Sequence, residues 1–578
     1  MNNAGTWFLK GAWIELGVEQ ALAEVIEEAC RNSQVNQPES PLRVLTHARE
    51  VLVRKNETLA FMPWFENMTR LEHLDTYDDA GLGWLIESPQ VNRTDTMRHY
   101  LSELTVLKIA ATVWQALARC YWRAGYQTGS IPDSHVFYVD MHDKVIWTNK
   151  PSPVGFVSAL HEVYACLKQA FVHGRGGHAL FCCTYAADIH LSEVVVEVAH
   201  LFERALGVEI VQVIVTDREG LAVDVIQALA SQNKAFVALL KANQYSGEAN
   251  FVRPGRFRQL KDPRTGQVTH RVADADFQLA PGLMVRAALI YDLAHPDVLM
   301  ALIATVSREA EPDIRRIVGW YLGRWNAQEN SFRDQIAFVH LNVNFGLHSK
   351  HSVPDRRIAR QITELATHLP AVTRKLESKL AQLAELEQRL HTLAESHDRK
   401  TSDLLRPPRR QGPQAARRAA KRQQQLQEQR QRYPQRLSKL LTSRTKLEQA
   451  IEAHRQEQAR AADKLARLDP QAKFFEVDTE KDQIMAGLRI GLHNSALWAR
   501  DHYFSSAYRH TTPLTLWRTF FNQDGFYLET TDRIIITLNS FNNPRLQREV
   551  SKARKRFNQR KIVTLSGKQI EIRVVNCI

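Results

Sequence analysis

Several things are scarce in this chain of 578 residues. Its six cysteines (Cys30, Cys120, Cys166, Cys182, Cys183 and Cys577) show no CxxC spacing, and two of them are adjacent. That argues against a disulfide framework and a zinc site and fits a reducing compartment. Glycine (25) and proline (21) are unremarkable, which excludes collagen-like and mucin-like chains. No apolar run approaches the ~18–20 residues needed to cross a bilayer; residues 298–306, among the longest, are strand-length. The first 15 residues lack a charged stretch leading into an apolar one, so no secretory signal is expected. Acids are short too: 63 Asp and Glu stand against 76 Lys and Arg, a net charge of +13. A hydrophobic fraction of 44% with 24% charged residues rules out wholesale disorder. What remains is a cytoplasmic, multidomain, basic protein without a membrane segment, whose cation surplus calls for a polyanion such as nucleic acid.

The surplus is concentrated. Residues 399–446 include Arg406, Arg409, Arg410, Arg417, Arg418, Lys421, Arg422, Arg430, Arg432 and Arg436, opposed only by Asp403 and Glu428. A second concentration covers 544–561, where Arg548, Lys552 and Arg556 recur at helical spacing. Either is a solvated polar face or a set of phosphate contacts, and phosphate contacts make binding salt-sensitive.

The hydrophobic pattern divides the chain into four sections, a multidomain α+β protein. Residues 1–130 carry apolar residues at three-and-four spacing and read as helical. Within them, 78–85, a turn at 87–92 and a helix starting near Arg93 resemble a helix-turn-helix, with Arg93 and Arg98 at the end where base edges are met. Residues 131–345 read as an α/β sheet. Strands are expected at 135–142 and 144–149 with a tight turn at Asp143, then at 178–185, 208–216, 235–241 and 298–307. Helices fall at 191–206, 221–230 and from 312 through 338, and a β-rich insertion at about 243–296. Residues 346–470 hold two heptad runs separated by Pro407, Pro408, Gly412 and Pro413. An antiparallel hairpin within one chain is the simplest account, with an intermolecular coiled coil as its rival. Residues 471–578 end in a β-β-α-β pattern, a small α+β module.

Three acids stand out by placement. Asp140 lies in the apolar run Phe137-Tyr138-Val139-Asp140, Asp217 ends the buried strand in Asp217-Arg218-Glu219-Gly220, and Glu329 follows Tyr321, Arg324 and Trp325 on the long helix. Acids at the carboxyl ends of strands sit where open α/β sheets place ligands, and such oxygen donors suit Mg²⁺ or Mn²⁺. In this order the motifs resemble those of bacterial insertion-sequence transposases of the DDE type. Tyr138-Val139-Asp140 with His142 is similar to the family's first-acid motif, Asp217–Gly220 to its second, and Tyr321, Arg324 and Glu329 to its tyrosine–arginine–glutamate signature. The resemblance implies a ribonuclease-H-like core with a β-rich insertion and a catalytic, metal-holding triad of Asp140, Asp217 and Glu329. It further implies DNA contacts from Tyr321 and Arg324, double-stranded DNA as partner, and a homo-oligomer working on DNA at the nucleoid. The alternative is a catalytically inactive or domesticated DNA-binding coiled-coil protein. The gap from Arg324 to Glu329 is one residue longer than the family spacing. At ~100° per residue, a regular helix would turn Glu329 away and put Gln328 in its place. A π-bulge at 326–328 would restore it.

Overall fold

A computed structural model describes residues 1–36, 41–129, 135–241, 243–262, 265–345, 347–406 and 413–575. Pro407, Pro408, Arg409, Arg410, Gly412 and Cys577 lie outside the described residues. The fold is mixed α and β, and no described helix is long and apolar enough to cross a membrane. The chain forms two compact units, Met1–His351 with Phe475–Ile578, and Ser352–Phe474. Three of the four sections read from the sequence therefore share one body.

In the first unit six helices precede the sheet: α1 (Trp7–Glu15), α2 (Val18–Asn36), α3 (Arg49–Phe61), α4 (Gly81–Leu85), α5 (Thr94–Val106) and α6 (Ala110–Thr128). The sheet strands are β1 (Val136–Val145), β2 (Val154–Val157), β3 (Glu162–Gly174), β4 (Ala179–Ala186), β5 (Val213–Val215), β6 (Ala235–Leu239), β7 (Arg258–Lys261), β8 (Val268–Ala280), β9 (Leu283–Asp292) and β10 (His295–Ala304). Helices α7 (Leu191–Leu206) and α8 (Val223–Ser231) flank β5 in sequence. The spatial order is β2-β3-β1-β5-β6-β10-β9-β8-β7, with β4 also paired to β3. β1, β5 and β6 run parallel and every other pairing is antiparallel. The insertion expected at about 243–296 supplies β7, β8 and β9, which extend the sheet beyond β10, the strand that pairs with β6.

One sequence expectation is corrected. The chain does not turn at Asp143; β1 runs straight through it, and its antiparallel partner is β3, a strand the sequence pattern did not mark. Charges in a strand read as a turn only when their partners are out of sight. Asp143 stands opposite Lys168 in register and bonds to it, and Lys144 reaches a carboxylate far along the chain.

After β10 come α9 (Ile314–Arg324), a π-helical turn at Trp325–Glu329, and α10 (Asn330–Val339). Beyond these, β11 (Leu347–Pro354) leads to α11 (Arg356–Leu405) and α12 (Pro413–Ala466), the whole of the second unit's helical hairpin. Gln458 bonds Thr373 and Arg444 pairs with Glu387, which fixes the two helices as antiparallel. Val372, Leu376, Leu386, Ile451 and Ala461 are buried along their seam. The hairpin closes within one chain.

The chain then returns through β12 (Lys473–Asp478) to α13 (Glu480–His502), α14 (Pro513–Leu516) and a second π turn at Trp517–Phe521. It finishes with β13 (Gly525–Glu529), β14 (Arg533–Leu538), α15 (Pro544–Gln559) and β15 (Gln569–Val574), the β-β-α-β order expected. This is not a free-standing module. α13 is buried from Ile484 to Ala499 on every side, against α1, α3, α6, α10 and β4. At the other end of the chain, the Met1 ammonium donates to the Gly525 carbonyl (3.1 Å), and Asn3 N–H to Asp524 (3.1 Å).

One ion pair deep inside this body has a full set of partners. Lys144 Nζ meets Asp482 Oδ1 at 2.8 Å with side chains 1% and 0% exposed. The same carboxylate accepts Phe345 N–H (2.8 Å) and Gln169 Nε2–H (3.2 Å). Breaking a buried pair strands a charge, at about 3–5 kcal/mol. Asp482→Ala should lower stability to urea by that amount, and Lys144→Met with Asp482→Leu should recover a large part of it. Equal losses in the single and double variants would refute this account.

His173 and His178 are buried, and burial pulls them down to about 3 and about 4; neighbouring His493 and His178 add to the effect on His173, whereas Asp501 partly offsets it for His178. The unfolded chain takes up these protons below about 6.5 whereas the fold refuses them until far lower. Their contribution is therefore complete above pH 6.5 and drains away as the pH falls toward 3–4. By the bottom of that window the loss is on the order of 5 kcal/mol for His173 and about 3 kcal/mol for His178. His173→Leu should flatten the loss of stability between pH 6.5 and 4, measured by urea unfolding at each pH.

Candidate active site

Side chains alternate along a strand, so Tyr138 and Asp140 share one face of β1. That face is covered by α9: Tyr138 Oη donates to the Trp320 carbonyl (2.9 Å). Gly323 permits the close approach, since a Cβ there would lie 2.9 Å from Tyr138 Oη. β1 and β5 pair in parallel with Tyr138 opposite Val215. Asp140 and Asp217 each follow that pair by two residues, so the register sets them side by side. Asp217 caps the short turn after β5, its Oδ1 accepting Arg218 N–H at 2.6 Å. Arg218 folds back over it, Nε to Oδ1 3.8 Å.

The third acid arrives through the π turn. In the extra residue of Trp325–Glu329 the helix rotates, and Glu329, last of the turn, comes round to the Arg324 guanidinium. Arg324 Nη1 contacts Asp140 Oδ2 at 3.1 Å, and Nη2 contacts Glu329 Oε1 at 3.0 Å. Gln328, fully buried, offers Oε1 to Nη1 at 3.4 Å. The bulge read from spacing is present, and both residues in question reach the same guanidinium.

Burial pushes the Asp140 carboxyl up to about 7. Arg324 and the Met141 N–H pull it back, while the Glu329 and Asp217 carboxylates push it further up. Burial works against the Arg324 charge, yet Asp140, Tyr321, Asp217 and Glu329 together hold it above its ordinary value. Three acids thus face one cation, an excess of negative charge in a poorly hydrated place. Their oxygen donors suit a hard divalent ion. As the side chains stand, Arg324 spans Asp140 and Glu329, and among the described residues no group of three His, Cys, Asp or Glu is gathered closely enough to hold a metal.

The expected DNA-contacting residues are spread over three regions. Tyr321 is half-buried with the Arg324 guanidinium over its ring, 5.7 Å to the centroid. Arg324 is itself buried and spent on the acids. Arg93 and Arg98 are exposed at the start of α5, but Arg98 is tied to Glu72 and Asp95. The Asp75 carboxylate bonds Thr94 N–H at that helix end (3.0 Å). The preceding α4 is only five residues long. On α15, Arg548 and Lys552 face solvent, whereas Arg556 Nη1 donates to the carbonyls of Tyr503 (3.2 Å) and Phe504. Reading charge runs missed Arg175, Arg333, Arg500 and Arg509, which line one cleft beside the π turn. They come from separate segments, and only the fold assembles them.

If Arg324 is held chiefly by the acids, Arg324→Gln and Asp140→Asn should be coupled. In urea unfolding at pH 8 without divalent ions, a cycle of these variants should show about 1–3 kcal/mol of interaction, and a value near zero would count against the bridge. No family model matches this chain, and no curated protein does.

Proposed function

We propose that the chain is a DDE-type transposase of an insertion sequence, cutting double-stranded DNA and joining the freed 3′ end to a target. The observation that carries this reading is that Arg324 joins Asp140 of β1 to Glu329 of the π turn, with Asp217 set beside Asp140 by the β1–β5 register. The sheet supports it. β4-β3-β1-β5-β6, antiparallel in its first three strands and parallel in its last three, agrees with the strand order of a ribonuclease-H-like core, with β7, β8 and β9 in the insertion at about 243–296. The motifs that resemble the family lie on β1, directly after β5 and across α9 and the π turn, which agrees with this reading.

Asp140, Asp217 and Glu329 would hold Mg²⁺ or Mn²⁺, which when bound supplies an activated oxygen nucleophile and offsets charge on the leaving 3′ oxygen. The protein's part is positioning. The β1–β5 register sets the two aspartates abreast, and the Arg218 N–H fixes one Asp217 oxygen. Arg324 aligns Asp140 with Glu329, and α9 keeps bulk water from the Asp140 side. Hydrolysis of a phosphodiester and strand transfer both need such an anionic, rigid cluster. The protein would act as a homo-oligomer on nucleoid DNA.

One observation favours the second reading, a non-catalytic DNA-binding protein: the Arg324 guanidinium occupies the space between two of the acids. A cleavage assay on duplex DNA carrying the element's own ends, with Mg²⁺ or Mn²⁺, separates the two. Asp217→Asn should lower cleavage about a thousandfold, the loss of several kcal/mol of charge stabilisation, and leave DNA affinity within about twofold. Cleavage unaffected by Asp217→Asn would remove the assignment, and a wild-type protein that binds but never cuts would support the second reading.

A further inference from the structure

Beside the π turn that carries Glu329 lies a cleft of about 1000 Å³. One wall is the π turn and the start of α10, with Ala327, Asn330 and Arg333; another is the β3–β4 turn with Arg175. The rest comes from the C-terminal section: Arg500 at the end of α13, Arg509 in the loop after it, and Arg556 of α15. Five arginines therefore face two carboxylates, Asp334 and Asp501. At least three are held in place. Arg500 forks onto Asp501 (2.8 and 3.1 Å) and reaches the Thr511 carbonyl, Arg556 donates Nη1 to backbone carbonyls, and Arg333 bonds Asn330 (2.7 Å). Arg509 is exposed. At the floor, His493 is 1% exposed, and its ring nitrogens make no hydrogen bond; its Nε2 lies 3.3 Å from Asp334 Oδ2.

Small-molecule pockets of this size are mostly apolar with a few polar groups. This cleft is the reverse, since cations from five chain segments converge on it. Arg556 and Arg333 are each held at one terminal nitrogen, which leaves other N–H groups for a phosphate oxygen, the geometry arginine suits best; Arg500, engaged at all three nitrogens, serves to shape the wall. We infer that the cleft is a groove for one phosphodiester strand of nucleic acid, leading to the Glu329 side of the acid cluster, and that the C-terminal section supplies more than half of its cations. The inference rests on the transposase reading for the direction of the strand but not for its binding. It gives α13, the loop after it and α15 a part in holding substrate.

The test uses the full chain carrying Asp217→Asn, so that nothing is cut, and a fluorescein-labelled 20-nucleotide single-stranded DNA followed by anisotropy across a salt series. Arg333→Glu with Arg509→Glu should weaken binding at least tenfold at 0.1 M salt. It should also flatten the slope of log affinity against log salt by about 1.4, at ~0.7 per lost phosphate contact on a single strand. Arg333→Lys with Arg509→Lys should stay within about threefold of the parent. Both side chains are exposed; should the double reversal unfold the protein, Arg509→Glu alone should still flatten the slope by about 0.7. An unchanged slope overturns the inference. So does displacement of the oligonucleotide by millimolar inorganic phosphate at an ionic strength matched with chloride, which would mark a small-anion site. Cleavage is read separately in the protein with Asp217 intact: its absence there, with the slope change present, would sink the transposase reading and leave the groove standing.

Discussion

The buried pair between Lys144 and Asp482 is the constraint on which the body of this protein turns. Lys144 sits four residues after Asp140 on the same strand, and Asp482 lies in the first turn of α13, the helix packed among α1, α3, α6, α10 and β4. By also accepting bonds from Gln169 of β3 and from Phe345, that one carboxylate fixes two sheet strands and the segment after α10 to α13. Taking two charges out of water gains little net stability over a well-packed apolar pair. What the pair provides is registration: only one placement of α13 against β1 satisfies both ions. The acid cluster inherits that placement, because β1 and α10 are both seated on the same helix.

The order of the acids was legible because each lies in a short motif whose local chemistry is complete: an apolar strand, a turn capped by its own aspartate, a helix one residue out of phase. Even the π turn could be read, since a spacing of five between Arg324 and Glu329 cannot put both on one helical face without it. What was not legible depends on partners distant in the chain. β3 escaped notice, and Asp143 passed for a turn, because the charges that justify them in a strand pair with Lys168 and Asp482. The burial of α13 was hidden for the same reason: Arg489, His493, Asn494 and Ser495 give it the composition of a surface helix, yet all four are buried. Asn494 Nδ2 spends its donor on the Ala179 carbonyl of β4 (2.9 Å), a contact 315 residues away in sequence.

Individual cations illustrate the limit of charge counting. Arg324, Arg98 and Arg556 look alike in sequence as phosphate-binding residues. In the fold the first is committed to two acids, the second to Glu72 and Asp95, and the third to the carbonyls at the end of α13. A commitment of this kind does not by itself remove an arginine from recognition. Arg556 is held at one nitrogen and open at the others, which lowers the entropy lost when a phosphate arrives. Arg324 differs because both of its terminal nitrogens are engaged and it is buried.

That difference bears on how the acid cluster is held. Asp140 and Glu329 share one delocalised charge between them, and Asp217 lies beside Asp140 with the more loosely placed Arg218 over it. Arg324 also rests on the Tyr321 ring, 5.7 Å from the guanidinium carbon. A cation resting on an aromatic face keeps part of its stabilisation when desolvated. Tyr321 thus offsets part of what burial costs Arg324, and this lets a single buried cation hold two acids from separate elements together.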